Sequence, residues 1–389
     1  MNDMQKGIIM LIKSAITGEA QPLPEEFSID EAYGFIMKHK IMMLAYDGAV
    51  RCGIPKENPT MQKLFQSYIQ GLFYSEKQMK AVSEIYSAFD KNGIDYLPLK
   101  GCNMKYLYPK PELRSMGDAD ILLKEEQEQE ASVFLKKMGY KRINDIEHHG
   151  VWHSDSLHLE IHRKLFSEDN AEYASYYGNG WKFGKKSEGK RFAFSHEDEL
   201  VYITAHFASH CRNGGIGIRH AVDFYVYKKA FPELDEKYIA GEFEKMHLLK
   251  FYNNVCGLME SWFEGKPAAK ETEVLSELIL SSGDWGNYRN VFLSSKIKEK
   301  QNKKKNNYSK IGSFIKAVFP PLETMRINYP ILHTHPIFLP FFWVKKWLEI
   351  LFLRRESLAL KLKTISTTDN EEISEYEEKL KTIGIDFTK

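Results

Sequence analysis

The stretch Arg114-Ser115-Met116-Gly117-Asp118-Ala119-Asp120-Ile121-Leu122-Leu123 decides the fold. Side chains alternate between the two faces of a strand, so Asp118, Asp120 and Leu122 point one way and Ala119, Ile121 and Leu123 the other. Two carboxylates therefore share a face, within reach of one cation. Upstream lies a Lys-Gly turn, Leu99-Lys100-Gly101-Cys102. Downstream, Leu157-His158-Leu159-Glu160-Ile161-His162 alternates apolar with polar residues. If the two strands are neighbours, Glu160 joins the aspartates. Three acids on one face repel and cost stability unless a cation sits among them. A hard cation such as Mg²⁺ takes carboxylate oxygens together with substrate phosphate oxygens. The spacing therefore suits metal-assisted phosphoryl or nucleotidyl transfer.

These residues resemble the nucleotidyltransferase superfamily that includes DNA polymerase beta, kanamycin nucleotidyltransferase and the minimal nucleotidyltransferases. Its pattern is a Gly-Ser or Gly-Gly turn, an Asp-x-Asp/Glu between apolar residues, then a lone acid flanked by apolar residues. More closely, the chain resembles the bacterial branch of uncharacterised nucleotidyltransferases that carries Leu-Lys-Gly and Arg-x-x-Gly-Asp-x-Asp. The likeness runs from residue 30 or so to near 355, with its specific motifs in 97–123 and 157–162. Cys102 stands where Ser or Gly is usual, and the gap from Gly101 to Asp118 is longer than in the simplest members. The resemblance implies an α+β fold, a small mixed β-sheet nucleotidyltransferase core flanked by N-terminal and C-terminal helical regions. It also implies Mg²⁺ (or Mn²⁺) as cofactor on the metal-ligating and catalytic residues Asp118, Asp120 and Glu160, and a nucleoside triphosphate as partner. The acceptor hydroxyl would belong to a small molecule, sugar or protein, and pyrophosphate would leave.

Several residues are candidates for nucleotide binding. Lys100 and Arg114 suit triphosphate oxygens, Lys as a point charge and Arg as a planar fork; ordinary surface ions are the alternative. Gly101, with Cys102 and Gly117 beside the two motifs, would let backbone N–H groups approach phosphate at a helix start, or serve only a turn. His206 and His210 share one helix face, and Arg219 and Asp223 repeat that spacing on the next. The resemblance places a histidine and an aspartate on these helices, so His206, Arg219 and Asp223 join the candidates near the nucleotide or acceptor cleft. The alternative for all of them is core or surface hydrogen bonding. His206-Phe207-Ala208-Ser209-His210 lacks the glutamate of a zinc-protease helix. No role is assigned to His148, His149, His153, His158 and His162.

The 389 residues allow two or three domains, and 43% hydrophobic with 28% charged content is ordinary for a globular chain. A net charge of +1 gives no global pull toward nucleic acid, and no basic, aromatic-studded strip marks the core. The four scattered cysteines form no C-x-x-C pair, which fits a reducing cytoplasm. The apolar N-terminal run lacks a small-residue cleavage site and reads as a helix start.

The expected organisation is a helical region over 1–92, the α/β core over 93–195, a helical domain over 196–295, a basic linker over 296–310 and a helical, apolar tail over 311–389. Asp235 to Phe263 reads as one helix, and 371–381 as an exposed terminal helix. Residues 336–355 are too interrupted by Pro340, Lys345, Lys346 and Glu349 to span a bilayer. They read as a packed apolar helix or as an interfacial one making peripheral membrane contact. Two other functions compete with transfer: a catalytically degenerate nucleotide- or ligand-binding module of the same fold, and a membrane-associated scaffold.

Overall fold

Five short extended segments build one sheet. The computed structural model describes residues 1–146, 148–284, 286–302, 315, 318–329, 331–353 and 355–387. In it β1 (Tyr96–Leu99), β2 (Ala119–Leu123), β3 (Lys141–Ile146), β4 (His149–His153) and β5 (His158–His162) lie in the order β1-β2-β5-β4-β3. The β2–β5 pair is parallel and the other pairs are antiparallel. This is the mixed sheet expected, and β4–β5 is the expected hairpin. Its turn is closed by the Ser154 hydroxyl, which accepts from the N–H groups of Ser156 and Leu157 at 3.2 Å each.

Helices surround the sheet. Before it come α1 (Asp3–Thr17), α2 (Ile29–Lys38), α3 (Met42–Arg51) and α4 (Pro59–Lys91); α5 (Gly101–Met104), α6 (Glu128–Lys137) and α7 (Ala171–Tyr177) interleave with or follow its strands. After it come α8 (His196–Arg212), α9 (Ile218–Ala230), α10 (Glu236–Lys245), α11 (Leu249–Glu264), α12 (Lys270–Ser281) and α13 (Tyr288–Asn302). The fold is α+β, as the sequence pattern implied.

The strand alternation sorts the core into two clusters. Ala119, Ile121, Leu123, Leu159, Ile161 and Trp152 bury one sheet face against Ala131 and Leu135 of α6 and Ala81, Val82, Ile85 and Phe89 of α4. Leu97, Leu99 and Leu122 turn the other way, into a larger cluster with α1, α3, α8, α9 and α11. α4 has 33 residues, about 50 Å of helix. Its Met61 and Leu64 enter the large cluster while its last turns cover the sheet. The N-terminal helices thus share a core with those that follow the sheet.

Three readings need amending. Asp235 to Phe263 is two helices, broken at Met246–Leu248 where His247 adopts φ +55°. Residues 296–302, read as linker, are the last turns of α13 with Ile297 fully buried, and 303–310 lie outside the described residues. The helix Asn370–Thr382 is docked rather than exposed, since Ile373, Tyr376 and Leu380 enter the large cluster. The tail helix Leu339–Leu353 ties its Trp343 and Trp347 indole N–H groups to the carbonyls of Pro320 and Val318, at 2.9 and 2.7 Å. Ile337, Phe341, Val344 and Leu348 remain exposed there. No helix among the described residues is long and apolar enough to cross a membrane.

Candidate active site

Strand register brings the three acids together. Asp120 sits opposite Glu160 in the parallel β2–β5 pair, and Asp118 precedes β2 by one residue, on the side of Asp120. Ligand oxygens of Asp118, Asp120 and Glu160 lie within 4.8 Å of one another. Leu99 pairs with Asp120 in β1–β2, so Lys100 follows at the mouth of the same face. Lys100 adopts φ +43°, a left-handed backbone that strains a residue with a side chain by about 1–3 kcal/mol. Its Nζ donates to Asp120 Oδ1 at 3.2 Å. His162, two residues beyond Glu160 on the same face, donates from Nε2 to Asp120 Oδ1 at 2.8 Å. The Nε2 atoms of His162 and His149 each lie 3.4 Å from Glu160 Oε2.

These contacts divide the acids. Burial would raise the Asp120 carboxyl, but Lys100 and His162 override it and hold Asp120 well below the usual range. Glu160 is likewise held down against its burial by the hydrogen bond from His162. Burial would lower the Lys100 ammonium and the His162 imidazole; Asp120 reverses both, so both are raised. Asp118 is different. Burial and the charge of Asp120 push it up to about 6, and no cation lies within ion-pair distance of it among the described residues. A carboxylate without a partner beside two others is the hard-oxygen donor set a divalent cation fits.

The loop between β1 and β2 is fixed by buried polar contacts. The Arg114 guanidinium donates from Nε and Nη2 to the two oxygens of Asp223 on α9, both at 2.8 Å, and Tyr108 donates its hydroxyl to Asp223 Oδ1 at 2.7 Å. From α4, Gln78 donates to the Met116 carbonyl at 2.9 Å. The buried Lys105 ammonium bridges Ser75 Oγ and the Arg114 carbonyl, at 2.8 and 3.1 Å. Gly101 is needed where Arg114 passes: a Cβ there would stand 2.8 Å from Arg114 Nη1 and 3.1 Å from Met116 Cγ.

Opposite the sheet, α8 and α9 wall a cavity of about 340 Å³. Lys100, Gly101, Arg114, Gly117, Asp118, Asp120, Glu160, His206 and Arg219 all line it. Arg219 donates to the Ser115 carbonyl at 3.0 Å and pairs with Asp284 at 3.1 Å. Two sequence candidates stand elsewhere. Asp223 sits behind Arg114, acting on the cavity only through it. The Cys102 side chain packs in the smaller apolar cluster, where burial pushes its thiol up to about 12, so a role in nucleotide binding is left to its backbone.

Sequence reasoning passed over His148, His149, His162, His220 and Asp284, which also line the cavity. For His162 the signal was present, because its i+2 spacing from Glu160 puts it on the acids' face. His220 and Asp284 carried no local signal; only helix packing delivers them. Burial, foremost, holds His148, His149 and His210 down at about 4, and His206 and His220 well below the usual range.

Comparison with known proteins gives three findings. Residues 25–264 match the family model described as uncharacterised nucleotidyltransferase. No functionally curated protein matches the chain. The solution structure of the antibiotic-resistance factor ANT(2'')-Ia aligns with 49% of this chain and 100% of its own, at 10% identity and a TM-score of 0.33, a likeness too slight to argue from. The family match takes in more than half of the chain, including every acid on the sheet and the two helices across the cavity from them, and by it this protein belongs to the uncharacterised nucleotidyltransferases.

Proposed function

We propose that the protein moves a nucleoside monophosphate from a nucleoside triphosphate to an acceptor hydroxyl, and that Asp118, Asp120 and Glu160 hold the divalent cation, Mg²⁺ or Mn²⁺, that this requires. The observation that carries the reading is the meeting of those three carboxylates at one cavity with an unpartnered Asp118 among them. Bound there, the cation would neutralise charge on the triphosphate. The acceptor oxygen bonds the α-phosphorus, the bond to the β-phosphate breaks, and pyrophosphate leaves. Glu160, a carboxylate within reach of His149 and His162, is placed to receive the acceptor's proton at Oε1 or Oε2. Lys100 balances Asp120 and fixes its orientation. Arg219 and Arg114 Nη1 offer positive charge on the loop side of the cavity for phosphate oxygens. Positioning and charge neutralisation then supply most of the rate.

A cavity of about 340 Å³ and a net charge of +1 favour a small molecule, a sugar or a protein side chain as acceptor over nucleic acid. Two contacts favour a second reading: Lys100 and His162 already occupy Asp120, as they would in a module that binds nucleotide without transfer.

The test is thermal stability with ATP, GTP, CTP and UTP, each with and without Mg²⁺, for wild type and Asp118→Asn. A ligand at 100 times its Kd adds about 2.7 kcal/mol to the native state. A metal-dependent rise lost in Asp118→Asn supports the reading, and release of pyrophosphate with an acceptor separates transfer from binding. No rise with any triphosphate refutes it.

A further inference from the structure

The helical wall of the cavity carries a cluster that the transfer chemistry does not use. We propose that His206, His210 and His220 form a second metal site, for a late first-row transition ion, zinc foremost, separate from the acids on the sheet. α8 supplies His206 and His210 one turn apart, and α9 supplies His220 in its first turn. The ring centroids are 4.4, 5.8 and 5.4 Å apart for the pairs 206–210, 206–220 and 210–220. One nitrogen from each ring falls within 4.8 Å of the other two, and the Nε2 atoms of His206 and His210 are already 3.1 Å apart. A tetrahedral zinc with Zn–N bonds near 2.0–2.1 Å holds its nitrogens about 3.4 Å apart. The cluster is therefore within small side-chain rotations of a ligand set.

The protein offers these rings little else. No carboxylate lies within ion-pair distance of them among the described residues, and His220 Nδ1 is buried there without a hydrogen-bond partner. Two imidazoles facing Nε2 to Nε2 share one proton in a hydrogen bond, and a cation that takes both lone pairs would displace it. The helices are stiffly seated, with Ala205, Phe207, Ala208, Ile218, Ala221 and Val222 buried around the ligands.

Imidazole donors suit zinc and its neighbours and not Mg²⁺, which wants oxygen. Three protein ligands leave the fourth position open, as in catalytic rather than structural zinc sites. All three histidines line the cavity shared with Asp118, Asp120 and Glu160, so that position faces the proposed transfer site. It would take an anionic or carbonyl oxygen of a bound ligand.

The experiment is equilibrium dialysis of chelator-treated full-length protein against Zn²⁺ and Co²⁺, without nucleotide. The expected result is one equivalent bound, with the visible d–d bands of a four-coordinate Co²⁺ complex. His210→Ala and His220→Gln should each weaken uptake by more than about 100-fold, since even outer-shell partners are worth about 10–100-fold. Asp118→Asn and His149→Ala should leave it unchanged. Absence of stoichiometric uptake by the wild type overturns the proposal, whatever the variants do. So does uptake that survives in His210→Ala and is lost in His149→Ala, which would move the ion to His149, Glu160 and His162. A nucleotide-dependent thermal shift without zinc uptake sinks this site alone; zinc uptake without a nucleotide shift sinks the transfer reading alone.

Discussion

Replacing Asp223 with Asn tests how the loop carrying the Arg-x-x-Gly-Asp-x-Asp motif is held. Asp223 accepts three hydrogen bonds, two from Arg114 at 2.8 Å and one from Tyr108 at 2.7 Å. The paired side chains are only 7% and 8% exposed. Asn is nearly isosteric, but its amide N–H₂ faces a guanidinium N–H, and a buried positive charge loses its counter-ion. Removing one partner of a buried pair costs about 3–5 kcal/mol. Tyr108→Phe removes one hydrogen bond and leaves the charges matched, for about 1 kcal/mol. Adding Arg114→Met to Asp223→Asn removes the uncompensated charge, so the double variant should be more stable than Asp223→Asn alone. Urea unfolding, followed by tryptophan fluorescence and far-ultraviolet circular dichroism at one pH, gives the three values if m is unchanged. The reasoning fails if Asp223→Asn costs no more than Tyr108→Phe, or if the double variant is the less stable.

Three further outcomes follow from the same geometry. Asp118→Asn should stabilise the protein without metal by about 1–3 kcal/mol near pH 7: the carboxyl is raised from its ordinary 3.8 to about 6, so its ionisation opposes folding above that window. The order should reverse in Mg²⁺, and a variant less stable than wild type without metal would contradict it. His39, fully buried between α2 and α9, accepts from the Ile218 N–H at 3.3 Å, and burial holds it down at about 4 against an ordinary 6.5. Its contribution is complete above pH 6.5 and is lost as pH falls toward 4, by about 3 kcal/mol in all; His39→Gln should flatten that limb of the stability–pH curve, and an unchanged limb would exclude His39 as its source. Gly101→Ala forces its new methyl against Arg114 Nη1 and Met116, so nucleotide affinity should fall more than stability; a shift of the unfolding midpoint with affinity intact would make Gly101 a packing residue only.

The legible and illegible parts of this protein separate by the range of the interactions that specify them. Alternation over Ala119–Leu123 and Leu157–His162 is local, so the strands and the shared face of Asp118, Asp120 and Glu160 could be read from spacing. That Asp120 falls opposite Glu160 could not, because the parallel register is set by a crossover of more than 30 residues and by the burial of Ile121 and Ile161 on the far face. Asp223 shows the converse error. Its four-residue spacing from Arg219 is real, yet Asp223 turns to Arg114, 109 residues away in sequence, and leaves the cavity to its neighbour. Lys296 to Asn302 looked like linker from charge, but Ile297 is fully buried in the core, next to the buried Leu293 one turn earlier. His220 carried no local pattern at all.

The cavity has two walls with opposite chemistry, and the fold explains why. A sheet face can gather carboxylates side by side only where cations intrude, and here Lys100 and His162 do so for Asp120 and Glu160 while Asp118 stays without a counter-ion. The helical wall is built from neutral rings, since burial lowers all three histidines. Beside it the positive charge comes from Arg219 at the start of α9 and from Arg114 on the β1–β2 loop, and each of those already answers to an aspartate, Asp284 and Asp223. Triphosphate entering this space meets few uncommitted cations, so its charge must be matched by ions that arrive with it or are bound beforehand. That makes affinity for nucleotide a function of divalent-ion concentration, and the dependence should steepen when Lys100→Ala removes the ammonium that spans to Asp120.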